Sequence, residues 1–241
     1  MQETVSEPRI EAGAGPSSDD GLAAELRRFG PLGILAILVI ILTGTVVIGH
    51  LYLPLGAVLV LAWAQISRTP WREIGYARSR SWFASVAIGI VFGCAFKFLM
   101  KAVVMPLLGA DPINHAYHYL AGDQALIPST LFGMTVSAGF GEETLFRGYL
   151  FERFGKLFGS RTGAKIAIVL ITSVWFGLGH YAGQGVPGAE QALITGLAFG
   201  TIYALTGKIW IPMFAHAAFD LTAYWMIYWN LETWVAHMVF K

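Results

Sequence analysis

Apolar residues lie along the chain in seven long runs separated by short polar segments. The runs cover about 31–49, 52–66, 82–105, 128–150, 163–181, 188–205 and 209–229. Runs of about twenty apolar residues are typical of helices that cross a bilayer core of about 30 Å, whereas barrel strands alternate over about ten residues. The sequence therefore predicts an all-α, polytopic membrane helix bundle with about seven transmembrane helices. The second run is short for a full crossing, so we expect it to tilt or to join its neighbour.

The first 29 residues differ in composition from the rest of the chain. Acidic residues together with Gly, Pro and Ser are typical of a segment that buries too little apolar surface to fold. Near its end, Leu22 and Leu26 recur at helical spacing after Asp20, which suits a helix N-cap, so we expect a short interfacial helix there. The sequence thus predicts a largely disordered cytoplasmic tail over 1–29 and a transmembrane domain over 30–241.

Composition agrees with a membrane location and excludes several functions. Hydrophobic residues make up 56% of the 241 residues and charged residues 13%, whereas soluble domains carry about 25% charged residues. The net charge of +1 offers no basic field for phosphates, so we expect no nucleic-acid partner. Cys94 is the single cysteine, so neither an intrachain disulfide nor a cysteine-based zinc cage can form.

Basic residues lie on one side of the predicted bundle. The opposite segments carry only acidic charges, apart from Lys241 at the end of the chain. The positive-inside rule then predicts a cytoplasmic N-terminus and an outside C-terminus, in a bacterial or archaeal plasma membrane. The inner segments carry Arg27, Arg28, Arg68, Arg72, Arg78, Arg80, Arg153, Lys156, Arg161, Lys165 and Lys208.

Ionisable side chains interrupt four of the predicted membrane helices, namely the third, fourth, fifth and seventh. A charge at mid-bilayer costs at least about 2.5–3.5 kcal/mol, so such residues indicate a functional site by default. On the fourth helix, neighbouring residues point about 100° apart, so Glu142 and Glu143 face different surroundings. Glu143 shares a face with Arg147 and can pair with it, as a buried structural ion pair or as part of a site. Glu142 has Phe146 at that offset, so its partner must come from another helix.

Two further motifs place side chains four residues apart. Phe176 and His180 share a face of the fifth helix, and the glycines between them allow close helix approach. His216 and Asp220 place an imidazole and an acid on one face of the seventh helix. Each motif alone fits a hydrogen-bonded structural histidine or a His–Asp pair. Together with the fourth helix, they exceed what structural pairing requires.

This set of side chains suits the hydrolysis of an amide bond inside the bilayer. A carboxylate can act as general base, an imidazole can hold the water, and a second imidazole can stabilise an oxyanion. Glu142, His180 and His216 are also a ligand set for Zn²⁺, although no H-E-x-x-H helix is present. A nucleophile elbow is absent, Cys94 has no nearby histidine in sequence, and Asp220 lacks a second membrane aspartate for a dyad.

The three motifs E-E-x-x-x-R, F-x-x-x-H and H-x-x-x-[N/D] together resemble those of the CPBP family. These are CAAX-processing and bacteriocin-processing intramembrane endopeptidases, also called the Abi family. The resemblance covers roughly 128–229, which it marks as the catalytic core, and the turn at 69–76 is similar to the family's amphipathic connector. It implies a protease acting on a peptide or membrane-protein substrate in the lipid bilayer.

The resemblance also implies roles for individual residues. Glu142 would be the general base on water, and His180 would hold that water. His216 would stabilise the oxyanion together with Asp220, where relatives that cleave CAAX tails have Asn. Because Asp donates only when protonated, this difference leaves a zinc-ligand role open beside the metal-free mechanism, for which we expect no cofactor. Supporting positions behind the site are Glu143, Arg147 and Phe176.

Other interpretations of the sequence stay open. The chain fits a non-catalytic peptide-immunity or scaffolding protein, and intramembrane Glu and His also serve proton-coupled carriers. Lys97 and Lys101 share a face, which fits snorkelling, pairing with a buried carboxylate, or contact with a substrate carboxylate. The outer-loop residues His115, Tyr117 and His118 fit a lid, a weak metal site or a polar loop. By residue counting, His180 lies at a different depth from Glu142, and only tilt or a helix break would close that gap.

Overall fold

The computed structural model describes residues 18–45 and 52–240. Within these ranges, the chain forms helices and no β-strand, so the predicted all-α class is confirmed. The disorder predicted for the N-terminal tail concerns residues 1–17, which lie outside the described residues. The rest of that tail contains the short helix α1, Ser18–Arg27, at the place where helical spacing predicted one.

Seven further α-helices, labelled α2 to α8, follow α1 in the described part of the chain. Helix α5 is one unbroken helix over 127–158, although its central turns are wider than those of an α-helix. The bounds are α2 Pro31–Thr45, α3 Tyr52–Ile66, α4 Trp82–Leu107, α5 127–158, α6 Thr162–Thr206, α7 Trp210–Tyr228 and α8 Glu232–Ala236.

Helix α6 consists of two antiparallel arms that correspond to the predicted fifth and sixth helices. The break is at Gly185, whose φ of 65° and ψ of −162° lie in a region that glycine alone adopts readily. Across the break, Ser173 packs closely against Gly196, and Lys165 donates to the carbonyl of Ala204 at 3.2 Å. The arms therefore run side by side, although the turn between them is more helical than the sequence indicated.

The number of membrane spans is supported only in part. Among the described residues, two helices are long and apolar enough to cross a membrane, Trp82–Leu107 and Thr162–Thr206. A third span results if α1 and α2, which meet at a 61° bend, are counted as one. Helix α3 has 15 residues, which is short for a bilayer core of about 30 Å. The seven-span bundle and its orientation therefore stay predictions.

Small residues bring the helices of the candidate site into close contact. A Cβ atom at Gly93 of α4 would overlap the backbone oxygen of Ala215 on α7. A Cβ atom at Gly139 of α5 would lie 3.0 Å from the side chain of Ala217. Small residues at such contacts let helix backbones approach one another. Helix α7, which carries His216, is thereby held against both α4 and α5.

Candidate active site

The wide part of α5 carries the acidic motif. π-Helical hydrogen bonding extends over Gly133–Glu142 and Thr144–Leu150. π-Helical turns are rare and often occur at functional sites, because they change the direction in which side chains project. The three motifs thus come from three helices: α5 carries Glu142, the first arm of α6 carries His180, and α7 carries His216.

Glu143 and Arg147 form a buried ion pair. Arg147 Nη1 donates to Glu143 Oε1 at 2.7 Å, and the two side chains are 2% and 0% exposed. The guanidinium lies 4.9 Å from the ring centroid of Phe176 and 5.7 Å from that of Phe199, which are cation–π contacts. His216 Nδ1 donates to the same Glu143 oxygen at 2.7 Å. Glu143 therefore fixes the orientation of the His216 ring.

Glu142 lacks the short hydrogen bonds that Glu143 makes through Oε1. Its Oε2 atom, like Oε2 of Glu143, is buried and has no hydrogen-bond partner among residues 18–45 and 52–240. His216 Nε2 lies 3.7 Å from this atom and 3.6 Å from Asp220 Oδ2, distances that are too long for good hydrogen bonds. The group that faces Glu142 therefore lies on another helix. A ligand or a water between these atoms would supply the missing bonds.

His180 is held by its own helix. Its Nδ1 atom lies 2.8 Å from the carbonyl oxygen of Phe176, and its ring packs against the Phe176 ring at a centroid distance of 4.6 Å. A carbonyl oxygen only accepts, so Nδ1 carries a proton, and in the neutral ring Nε2 is left as an acceptor. The Phe176 ring also contacts His216 at 5.9 Å. Phe176 thus lies between the two imidazoles.

A cavity of about 490 Å³ joins the four residues to which we gave direct roles. Glu142, His180, His216 and Asp220 all line it. The depth difference expected between His180 and Glu142 does not keep them from one cavity, since both also line a second cavity of about 260 Å³. Glu143 and Arg147 line neither cavity and lie behind the site. The structure thus separates the two adjacent glutamates as their helical angle indicated.

The zinc alternative requires these side chains to be grouped as metal ligands. Among residues 18–45 and 52–240, no three His, Cys, Asp or Glu side chains are grouped so that they could hold a metal ion. His216 directs Nδ1 to Glu143, which leaves only Nε2 for another partner. The zinc alternative therefore stays a prediction.

Polar residues outside the three motifs also surround the cavity. Lys97 donates to Gln191 Oε1 at 2.9 Å, and Gln184 donates to the Tyr117 hydroxyl at 3.0 Å. Sequence analysis missed both glutamines as lining residues, because a neutral amide in an apolar run gives no charge signal. It also missed Glu232, which is buried and pairs with Lys101 at 3.0 Å.

The two histidines of the loop at 112–118 lie near acids. His115 Nε2 lies 3.2 Å from Asp111, and His118 Nδ1 lies 3.7 Å from Glu232. They approach different carboxylates, and within the described residues they are not part of a metal-binding group. Their loop borders the cavities, since Asn114 lines the main one, so the lid interpretation stays a prediction.

Comparison with known proteins gives a family match over part of the chain. Residues 124–222 match the family model described as Rce1-like, type II CAAX prenyl endopeptidase Rce1-like. No curated protein and no solved structure matches the chain. The matched segment includes α7 up to residue 222 and contains all three motifs. The resemblance to the CPBP family is thereby confirmed over residues 124–222, which match its Rce1-like type II CAAX prenyl endopeptidases.

Proposed function

We propose that the protein is an intramembrane endopeptidase in which Glu142 activates water for attack on a peptide bond. The family match supports CAAX-type intramembrane endopeptidase activity in general, and with it a peptide or protein substrate. The family match and the apolar helices also indicate an integral membrane protein. The observation that carries the finer proposal is that Glu142, whose buried Oε2 atom has no partner among the described residues, lines the main cavity. Glu143, whose Oε2 atom is also without a partner there, does not line that cavity.

Water activation requires a base and a second group that holds the water. In the proposal, Glu142 accepts one proton of the water, while the free Nε2 of His180 accepts a hydrogen bond from the other. The water oxygen attacks the carbonyl carbon of the substrate, and the carbonyl oxygen becomes an oxyanion. The proton then passes from Glu142 to the leaving nitrogen, the C–N bond breaks, and a carboxylic acid and an amine are released. Atoms and charge balance without a metal.

The developing oxyanion requires hydrogen-bond donors. His216 donates through Nδ1 to Glu143, so a protonated ring has Nε2–H free to donate into the cavity. The carboxylates of Glu143, Asp220 and Glu142 lie 2.7, 3.6 and 3.7 Å from this ring and balance its positive charge. Asp220 adds a second donor if it holds a proton. Each such donor is worth about 10²–10³ in rate in other hydrolases.

The proposal is tested by comparing membrane proteomes of cells with the wild-type protein and with Glu142→Gln. We expect an uncleaved precursor to accumulate in the variant, because Gln keeps the shape of the side chain but cannot accept a proton. Adding the isolated precursor to reconstituted protein should give cleavage in the wild type and a loss of about 10²–10⁴ in Glu142→Gln. Chelators should leave the wild-type rate unchanged.

Glu190→Gln is the matched control, since Glu190 lies on the second arm of α6 and does not line the main cavity. It should cleave like the wild type. Full activity of a folded Glu142→Gln protein would eliminate the mechanism. A protective cellular phenotype that survives Glu142→Gln would instead indicate the immunity or scaffolding role, and loss of activity with chelators would indicate a metal.

A further inference from the structure

Lys97 is a buried cation beside the candidate active site. It lies on α4, and only 5% of its surface is exposed. Its ammonium donates to Gln191 Oε1 at 2.9 Å and lies 4.8 Å from the centroid of the Phe219 ring. Lysine is almost never fully buried unless it is paired with an opposite charge. The surroundings of this side chain therefore indicate a missing anion.

Lys101, the next lysine on the same face of α4, is a buried cation that is paired with an acid. Lys101 donates to Glu232 at 3.0 Å and to the carbonyl oxygen of Pro112 at 2.6 Å. Lys97 has no carboxylate within 4.0 Å among residues 18–45 and 52–240. An ammonium has three N–H donors, and Gln191 accepts from one of them. Two donors of Lys97 are thus left for a ligand or water.

Gln191 contributes a further donor at the same place. An ammonium only donates, so the amide oxygen of Gln191 faces Lys97 and the NH₂ group has its hydrogens left to give. Both side chains line the 490 Å³ cavity that contains Glu142, and both line an adjoining cavity of about 250 Å³. Lys97 and Gln191 therefore lie where the two cavities meet.

We propose that Lys97 and Gln191 form a subsite for a carboxylate group of the substrate, a role that rests on the proposed endopeptidase function. A carboxylate between them would accept charge-assisted bonds from the ammonium and a neutral bond from the amide. It would also compensate a buried positive charge that has no carboxylate within 4.0 Å among the described residues. The carboxylate has two sources, the C-terminus of the substrate or an acidic side chain near the cleaved bond.

The subsite is tested by peptide binding to the full chain carrying Glu142→Gln, so that binding is measured without cleavage. The probe is a palmitoylated fluorescent peptide of apolar sequence, in three forms: a free C-terminal acid, the C-terminal amide, and the amide with one internal Glu. We expect at least one carboxylate form to bind about tenfold or more tighter than the plain amide, as a charged hydrogen bond would provide. The carboxylate form that binds more tightly than the plain amide identifies the source of the carboxylate that the subsite binds.

Lys97→Met in the same background should abolish this preference, whereas Lys97→Arg should keep most of it. Lys165→Met is the matched control, since this exposed lysine donates only to a backbone carbonyl. Equal affinity for all three peptides, or a preference that survives Lys97→Met, overturns the proposal. If Lys97→Met does not fold, Gln191→Met must reduce the preference for the proposal to stand.

A structural role of Lys97 gives a different result. If the lysine only balances the acids of the site, Lys97→Met weakens all three peptides by the same factor. Failure of the hydrolase is also distinguishable, because binding is read in a protein that does not need to cleave. A carboxylate preference in a protein whose wild type cleaves no precursor would retain the subsite and reject the endopeptidase.

Discussion

Two of the regions that bury an acid treat it differently. In the Glu232 cluster, which consists of Lys101, Asn114 and Glu232, Glu232 Oε1 accepts from the Lys101 ammonium and from the backbone N–H of Asn114, both at 3.0 Å. At the candidate site, Glu143 is similarly satisfied at one oxygen by Arg147 and His216. Oε2 of Glu143 and Oε2 of Glu142 are both buried without a partner in the described part of the chain, but Glu142 lies 3.7 Å from His216, whereas Glu143 lies 2.7 Å from it.

The difference separates structural acids from one that is available for chemistry. A buried charge is costly unless it is paired and hydrogen-bonded, so an acid that is bonded to a cationic group serves the fold and one without such a bond needs another explanation. Glu232 links α8 to α4 and to the loop at 112–114, and Glu143 links α5 to α7. Glu142 makes no comparable bond among residues 18–45 and 52–240, since its contact with His216 is 3.7 Å long. The predictions below test this contrast, beginning with the largest expected effect.

Arg147→Met should cause the largest loss of stability, because Arg147 pairs with the structural acid Glu143. It leaves Glu143 buried without its cation, and breaking a buried pair costs about 3–5 kcal/mol. We expect a large loss of stability in thermal or denaturant unfolding of the solubilised protein. Arg80→Gln, at an exposed position, should change stability by less than about 0.5 kcal/mol. A stable Arg147→Met protein would mean that the pair does not hold α5 in place.

The second prediction concerns Asp220, which we expect to take part in the reaction. Its side chain is 28% exposed and lies 3.6 Å from His216. If Asp220 donates to the oxyanion, Asp220→Ala should lower kcat by about 10²–10³. Asp220→Asn should keep activity within about tenfold of the wild type, since an amide always carries a donor. Cleavage assays of both variants, with unfolding curves beside them, check this. Equal losses in Ala and Asn would instead assign Asp220 a role as an acid.

The parts of the site that the sequence could predict are those that depend on one helix. A spacing of four residues brings Glu143 to Arg147, and likewise Phe176 to His180, because helix geometry is local. The all-α class followed equally from the length of the apolar runs. These inferences needed no knowledge of how the helices pack.

The parts that the sequence could not predict depend on contacts between distant segments. His216 meets Glu143 across 73 residues, and Lys101 meets Glu232 across 131. Each contact depends on close helix approach, as at Gly93, or on the wide turns of α5, neither of which has a reliable sequence signal. Gln191 was missed for a related reason, since its significance comes only from the buried lysine beside it.

A change in the Glu232 cluster has the smallest expected effect, and it tests whether Glu232 is only structural. Glu232→Gln keeps an oxygen that can accept from Asn114 but removes the charge opposite Lys101, so we expect a loss of about 1–3 kcal/mol in unfolding experiments. Cleavage should change far less than in Glu142→Gln, because Glu232 does not line the main cavity. A decrease in kcat as large as that of Glu142→Gln, in a folded protein, would show that the loop at 112–118 must be held over the cavity for reaction. Glu232 and Glu142 would then both be required for the reaction, and they would differ only in their distance from the reacting atoms.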